Sequence, residues 1–108
     1  MTVLAFLKKE DLQWSARYAA SFAIKRLLMS DIENCNIFSR IHGPDYLWQL
    51  LKHFIEQVPI EICTVALEAL LAMARHLTFR ETLINFETID TICLFLEVKI
   101  KFITLSYN

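Results

Sequence analysis

An all-α fold is predicted by three observations on this 108-residue chain: few turn-forming residues, apolar residues at helical spacing, and a helical segment that recurs. One Gly and two Pro are too few for an all-β domain, which needs a tight turn about every ten residues. The length suits a single hydrophobic core. In 60–77, IEICTVALEALLAMARHL, the apolar residues Ile62, Ala66, Ala69, Leu70 and Met73 share one helical face. Ala16, Ala20, Ala23, Ile24 and Leu27 repeat those steps 46 residues earlier. A duplicated helix points to a short α-solenoid.

The elements follow in chain order. A first helix is expected around Val3, Phe6 and Leu7, whose pattern returns as Leu47, Leu50 and Leu51 and again as Ile92, Phe95 and Leu96. The offsets are 44 and 45 residues, within the range of helical HEAT and armadillo arrays. After the first long helix, Ser30 and Glu33 in SDIE fit the S/T-x-x-E capping box, in which each side chain satisfies a backbone donor at a helix start. Thr78 and Glu81 in TFRE form a second such box. Gly43-Pro44-Asp45 punctuates the chain before LWQLL, since Gly permits unusual dihedrals and Pro disfavours helix in the residue before it. Pro59 introduces the second long helix at or near its first turn. This divides the chain into a first repeat at 3–46 lacking its start, a second at 47–91, and the start of a truncated third at 92–96, so that repeats span 1–96. The remainder, 97–108, EVKIKFITLSYN, alternates β-branched residues and predicts an irregular or strand-like tail.

The segment ENCNIFSRIHGPDYLWQLLKHF (33–54) resembles the short helix, glycine turn and second helix of an armadillo repeat, with Asn34, Ile41, Gly43, Leu47, Leu50 and Leu51 in matching places. IEICTVALEALLAMARHL resembles its third helix. The resemblance covers about residues 3–96 and implies a right-handed α-solenoid of about two repeats plus a partial one, acting as a non-catalytic protein-binding scaffold. HEAT repeats share the spacing, so the superfamily is better marked than the armadillo subtype. Importin-like and catenin-like members grip peptide backbones with an asparagine on the third helix, often beside a tryptophan. The matching positions here hold Arg26 and Ala72, and Phe22 and Glu68, so that asparagine ladder is absent. Thr88 stands where the last copy would carry its glycine turn.

Composition narrows the function. A net charge of −1 disfavours nucleic acid, whose binders carry a concentrated basic field. Glu61, Glu68 and Arg75 interrupt the most apolar stretch before about 20 apolar residues accumulate, so no membrane span is expected. MTVLAFLKKEDLQW lacks the basic n-region of a secretory signal, which favours an intracellular setting, cytoplasm ahead of nucleus. Cys35, Cys63 and Cys93 form no C-x-x-C and cannot all pair within the chain; they are expected to be buried thiols in a reducing compartment. His42, His53 and His76 lack the i, i+4 pairing that presents two imidazoles to zinc. The single Gly excludes a Gly-rich phosphate loop, so neither a metal nor a cofactor is expected. Cys35 and His42 are the nearest thiol–imidazole pair and the only basis for a remote alternative, a small thiol enzyme. A semi-buried structural thiol and an exposed loop histidine are the favoured explanation, given how often free Cys is buried, and no catalytic residue is assigned.

An apolar fraction of 56% exceeds the roughly 45–50% of ordinary soluble domains, so some apolar surface is expected to meet a partner. The candidate face lies on the two long helices: Phe22, Lys25, Arg26 and Met29 on the first, and Val65, Glu68, Ala72 and Arg75 on the second. Its partner is expected to be another protein. The alternative is an oligomerising or docking fragment that self-associates, or stacks on further helical repeats, through its incomplete ends. Trp14 and Trp48 are expected to fill core.

Overall fold

The computed structural model describes residues 2–8, 13–52, 58–83, 88–94, 96–97 and 100. All regular structure among them is helical: α1 (Thr2–Leu7), α2 (Trp14–Ser30), α3 (Ile32–Arg40), α4 (Gly43–Lys52), α5 (Ile60–Ala74) and α6 (Leu77–Leu83), with helix again at 88–94. The two long helices pack most extensively on each other. α1 lies on α2 as α4 lies on α5, and α3 follows α2 as α6 follows α5, each short helix packed on the long one before it. This dependence is physical. At six, nine and seven residues, α1, α3 and α6 fall short of the roughly 12–15 at which an isolated helix becomes even marginal in water.

One core runs through the assembly, including Leu7, Ile24, Leu28, Phe38, Leu47, Leu51, Ile62 and Met73. Small buried residues on both long helices, Ala20 and Ser21 on α2 and Ala66 and Ala69 on α5, permit the close approach of their backbones. A polar clamp secures α1. Arg17 Nη1 donates to the Leu7 carbonyl at 2.9 Å and to Tyr46 Oη at 3.0 Å, and Tyr46 Oη donates to the same carbonyl at 3.1 Å. It thereby satisfies one of the orphan acceptors at a helix C-terminus.

The helix boundaries correct the capping assignments. Ser30 ends α2, its hydroxyl donating to the Leu27 carbonyl, and the N-cap of α3 is Asp31, whose carboxylate accepts from the Glu33 N–H at 3.0 Å. Asp31 has extended backbone, with ψ of 134°, and its short carboxylate reaches the second helical N–H. Glu33 does not reach back as a capping box requires; it pairs with Arg40 at 3.1 Å. Thr78 lies inside α6, which begins one residue earlier. Pro59 takes the N-cap position of α5 without a side-chain bond.

Gly43 has a different purpose from the one expected. The left-handed residue is its neighbour His42, with φ of 60°, and Gly43 itself does not have positive φ. What requires glycine is space: a Cβ at Gly43 would lie 2.3 Å from the ring of fully buried Phe38. Pro44 then sits in the first turn of α4, where a missing N–H breaks no helical bond. Forty-five residues on, the corresponding pair is Leu83 and Thr88. Both are buried, and Thr88 Oγ1 donates to the Leu83 carbonyl at 2.8 Å.

Of the tail expected to be irregular or strand-like, Glu97 and Ile100 are described, and both are helical. The β preference of branched residues is weak and yields to context. Residues 98–99 and 101–108, together with His53, Phe95 and the side chain of Phe6, lie outside the described residues.

Candidate functional site

Trp14, Tyr18, Phe22, Lys25 and Met29 recur at intervals of three and four and occupy about a quarter of the circumference of α2. The four apolar members are all exposed, Met29 the most at 51%. Tyr18 and Phe22 stack, with ring centroids 6.3 Å apart and planes 28° from parallel. Two cations lie over Phe22: Lys25 Nζ at 5.3 Å and the Arg26 guanidinium at 6.0 Å from its centroid. Arg17 covers Trp14 in the same way at 5.6 Å. α2 thus presents an aromatic ridge whose rings are partly screened by charge.

Beside this ridge α5 supplies a polar border, and two open grooves lie between the helices. One, of about 490 Å³, is lined by Lys25, Met29, Glu68, Leu71, Ala72 and Arg75. The other, of about 360 Å³, is lined by Trp14, Ser15, Tyr18, Pro59, Glu61 and Ile62. The first joins the C-terminal halves of α2 and α5 and the second their N-terminal ends, so the two helices run in the same direction past them. Lys25 Nζ reaches Glu68 Oε2 at 2.9 Å between the helices. Lys25 is 19% and Glu68 44% exposed, so this contact is firmer than an open surface ion pair but still hydrated.

The structure therefore brings Lys25, Met29, Glu68, Ala72 and Arg75 to one groove, with Phe22 and Arg26 beside it. Two assignments on this face are corrected. Ala72 and Val65 are buried and can offer little surface to a partner, because α5 is apolar over most of its circumference and its spacing alone does not separate inner from outer positions. Leu71 was missed for the same reason; it is 53% exposed and lines the groove. Trp14 is exposed at 44% and does not fill core, whereas Trp48 packs against it.

The thiols divide. Cys35 and Cys63 are buried, and Cys93 is exposed, contrary to expectation. Cys35 Sγ donates to the Leu28 carbonyl at 3.3 Å and Cys63 Sγ to the Leu50 carbonyl at 3.7 Å. Burial pushes the Cys35 thiol up, helped by the negative charge of Asp31. Burial also pushes Cys63 up to about 12, with a smaller contribution from Glu61. Neither is an activated nucleophile. His42 is exposed and lies 3.8 Å from Asp45, so it forms no dyad with Cys35. Among the described residues no cluster of His, Cys, Asp and Glu could hold a metal, and no helix is long and apolar enough to cross a membrane.

Set beside known protein families, curated proteins and solved structures, the chain matches none.

Proposed function

We propose that the chain is a non-catalytic protein-interaction scaffold of armadillo-like helical-repeat type, which binds a partner along the shared face of α2 and α5. The observation that carries this reading is the pair of grooves aligned on one face beside an exposed aromatic ridge. Aromatic and arginine side chains on a rigid support dominate protein-binding hot spots, and here two mutually packed helices are the support. Full burial of a large apolar side chain contributes about 1.5–3 kcal/mol, so covering the exposed parts of Phe22, Met29 and Leu71 would add up to several kcal/mol. Lys25, Arg26 and Arg75 would orient the partner. The repeat reading is supported by the equivalent packing of α1–α2–α3 and α4–α5–α6. The free cysteines suit a reducing, cytoplasmic setting.

A displayed library of random 15-residue peptides, selected on the folded chain, tests the reading. Enriched peptides that lose binding to Phe22→Glu and Leu71→Glu, but not to a Leu77→Glu control, are expected. Enrichment indifferent to the first two substitutions would overturn it.

A second reading, stacking on further helical repeats, is favoured by Leu77, Leu94, Leu96 and Ile100. These are 44–75% exposed beyond α5, where another repeat would cover them.

A further inference from the structure

The α2/α5 face has a property that a generic docking surface lacks: it complements itself. Glu61 lines the N-terminal groove and Arg75 the C-terminal groove. Both are exposed, and neither has an ion-pair partner among the described residues. They stand seven residues on either side of Glu68, about 10 Å in each direction along the helix. On α2, Phe22 occupies the middle of the ridge between Trp14 and Met29. A two-fold axis lying in the plane of the face and crossing both helices at their middles would set α2 antiparallel to α2 of a second copy, and α5 antiparallel to its counterpart.

Each half of the face then meets the half that suits it. Glu61 of one copy approaches Arg75 of the other, twice. The Met29 side chain of each copy points at the groove walled by Trp14 and Tyr18 of the other, where a flexible thioether packs well on aromatic rings. The two Phe22 rings meet near the axis. Glu68 faces its own counterpart there, but each is neutralised by its Lys25 at 2.9 Å, leaving an alternating cluster of two cations and two carboxylates. Such an arrangement is isologous and closed.

The geometry points to a second copy of this chain as an occupant of the α2/α5 face, in an antiparallel dimer held by Phe22 at its centre and by two Glu61–Arg75 pairs at its ends. This names an occupant for the face that carries the proposed scaffold function and rests on that reading. With a footprint about 20 Å long and two helices wide, the interface belongs at the small end of specific contacts. The dimer is therefore reversible and concentration-dependent.

Sedimentation of the full chain over a range from about 1 μM to 1 mM, bracketing the affinities of small interfaces, tests it alongside three variants. The expected result is a monomer–dimer equilibrium that stops at two. Phe22→Glu abolishes it. Glu61→Arg and Arg75→Glu each weaken it by about tenfold or more, since each places two like-charge contacts in the interface. The double variant restores it. Both substitutions put the wrong charge at a helix end, so the double variant is the least favoured on stability grounds. Recovery of the dimer therefore separates association from folding, which helical circular dichroism checks in every variant. A chain monomeric throughout, a dimer indifferent to Phe22→Glu, failure of the double variant to recover, or growth beyond two copies would overturn the proposal. A monomer that still selects peptides in a Phe22-dependent way would overturn the dimer alone and leave the scaffold standing.

Discussion

Matched at their 46-residue offset, α2 and α5 share buried positions at the centre of their inner faces and diverge on the outside. Ala20 and Ile24 on α2 correspond to Ala66 and Leu70 on α5, and all four are buried. Exposed Trp14, Tyr18, Phe22 and Met29 stand against half-buried Ile60 and Thr64 and exposed Glu68 and Arg75. Even the attachment to the preceding helix is matched: Arg17 reaches the Leu7 carbonyl at the end of α1, and Cys63, its counterpart, reaches the Leu50 carbonyl near the end of α4. The difference teaches which positions are constrained. Packing fixes the inner face of each long helix, while the outer face is free to become an aromatic ridge on one and a polar border on the other.

The strongest test of the equivalence is truncation within the matched core. Leu70→Ala and Ile24→Ala should each cost about 2–5 kcal/mol, measured by urea unfolding, and the two losses should be similar. A loss on α2 of less than half that on α5 would break the comparison. Enlargement sharpens it instead. Ala69 is fully buried whereas its counterpart Ala23 is only half-buried. Ala69→Leu should cost about 1–3 kcal/mol by overpacking, and Ala23→Leu should stay within about 0.5 kcal/mol, as surface changes usually do.

Alkaline titration probes the two attachments. Cys63 has its folded pKa raised from 9.0 to about 12, so above pH 9 the unfolded chain loses a proton that the folded chain keeps. The stabilising contribution is complete below pH 9 and is lost as pH rises towards about 12. The melting temperature should fall more steeply over that window in the wild type than in Cys63→Ala, even if the variant is less stable at pH 7. At the matching attachment, burial pushes the Tyr46 phenol up while the Arg17 charge and hydrogen bond hold it down, so Arg17→Met should instead steepen the alkaline fall through Tyr46. The smallest effect is expected at Ser21, whose buried hydroxyl has no hydrogen-bond partner among the described residues; its counterpart on α5 is Leu67. Ser21→Ala should be neutral or stabilise the fold by up to about 1 kcal/mol, read as a small rise in the urea midpoint.

The helices and the inward face of α5 were legible because helical periodicity is a local property of sequence. Ile62, Ala66, Ala69, Leu70 and Met73 are all buried, as their spacing implies. On α2, by contrast, only Ala20 and Ile24 of the expected face are buried, with Ser21 and Leu28 beside them. Boundaries were harder, because a cap depends on which of two adjacent acceptors has extended backbone, and at α3 that is Asp31 rather than Ser30. Gly43 announced a junction, but its reason lay in the Phe38 ring, a contact that sequence does not display. At the candidate site Phe22 and Met29 could be read because Lys25 and Arg26 mark the outer side, whereas Trp14 and Tyr18 further along the same ridge were not singled out for it. On α5 the outer positions could not be read, since Leu71 and Ala72 are both apolar neighbours and only packing makes one exposed and the other buried. The exposure of Cys93 is likewise a tertiary outcome.

The clamp on α1 has a consequence for the order of events as the chain is made. α1 is too short to persist alone, and Tyr46, which helps to hold its final carbonyl, lies 39 residues further along. At roughly 5–20 residues per second of synthesis, several seconds pass between the appearance of the two. Through that interval the apolar side of α1 has neither Tyr46 nor a completed α2/α5 pair to rest on. A segment made early is thus secured late, and its exposed leucines are available to a chaperone for the time it takes the rest of the chain to arrive.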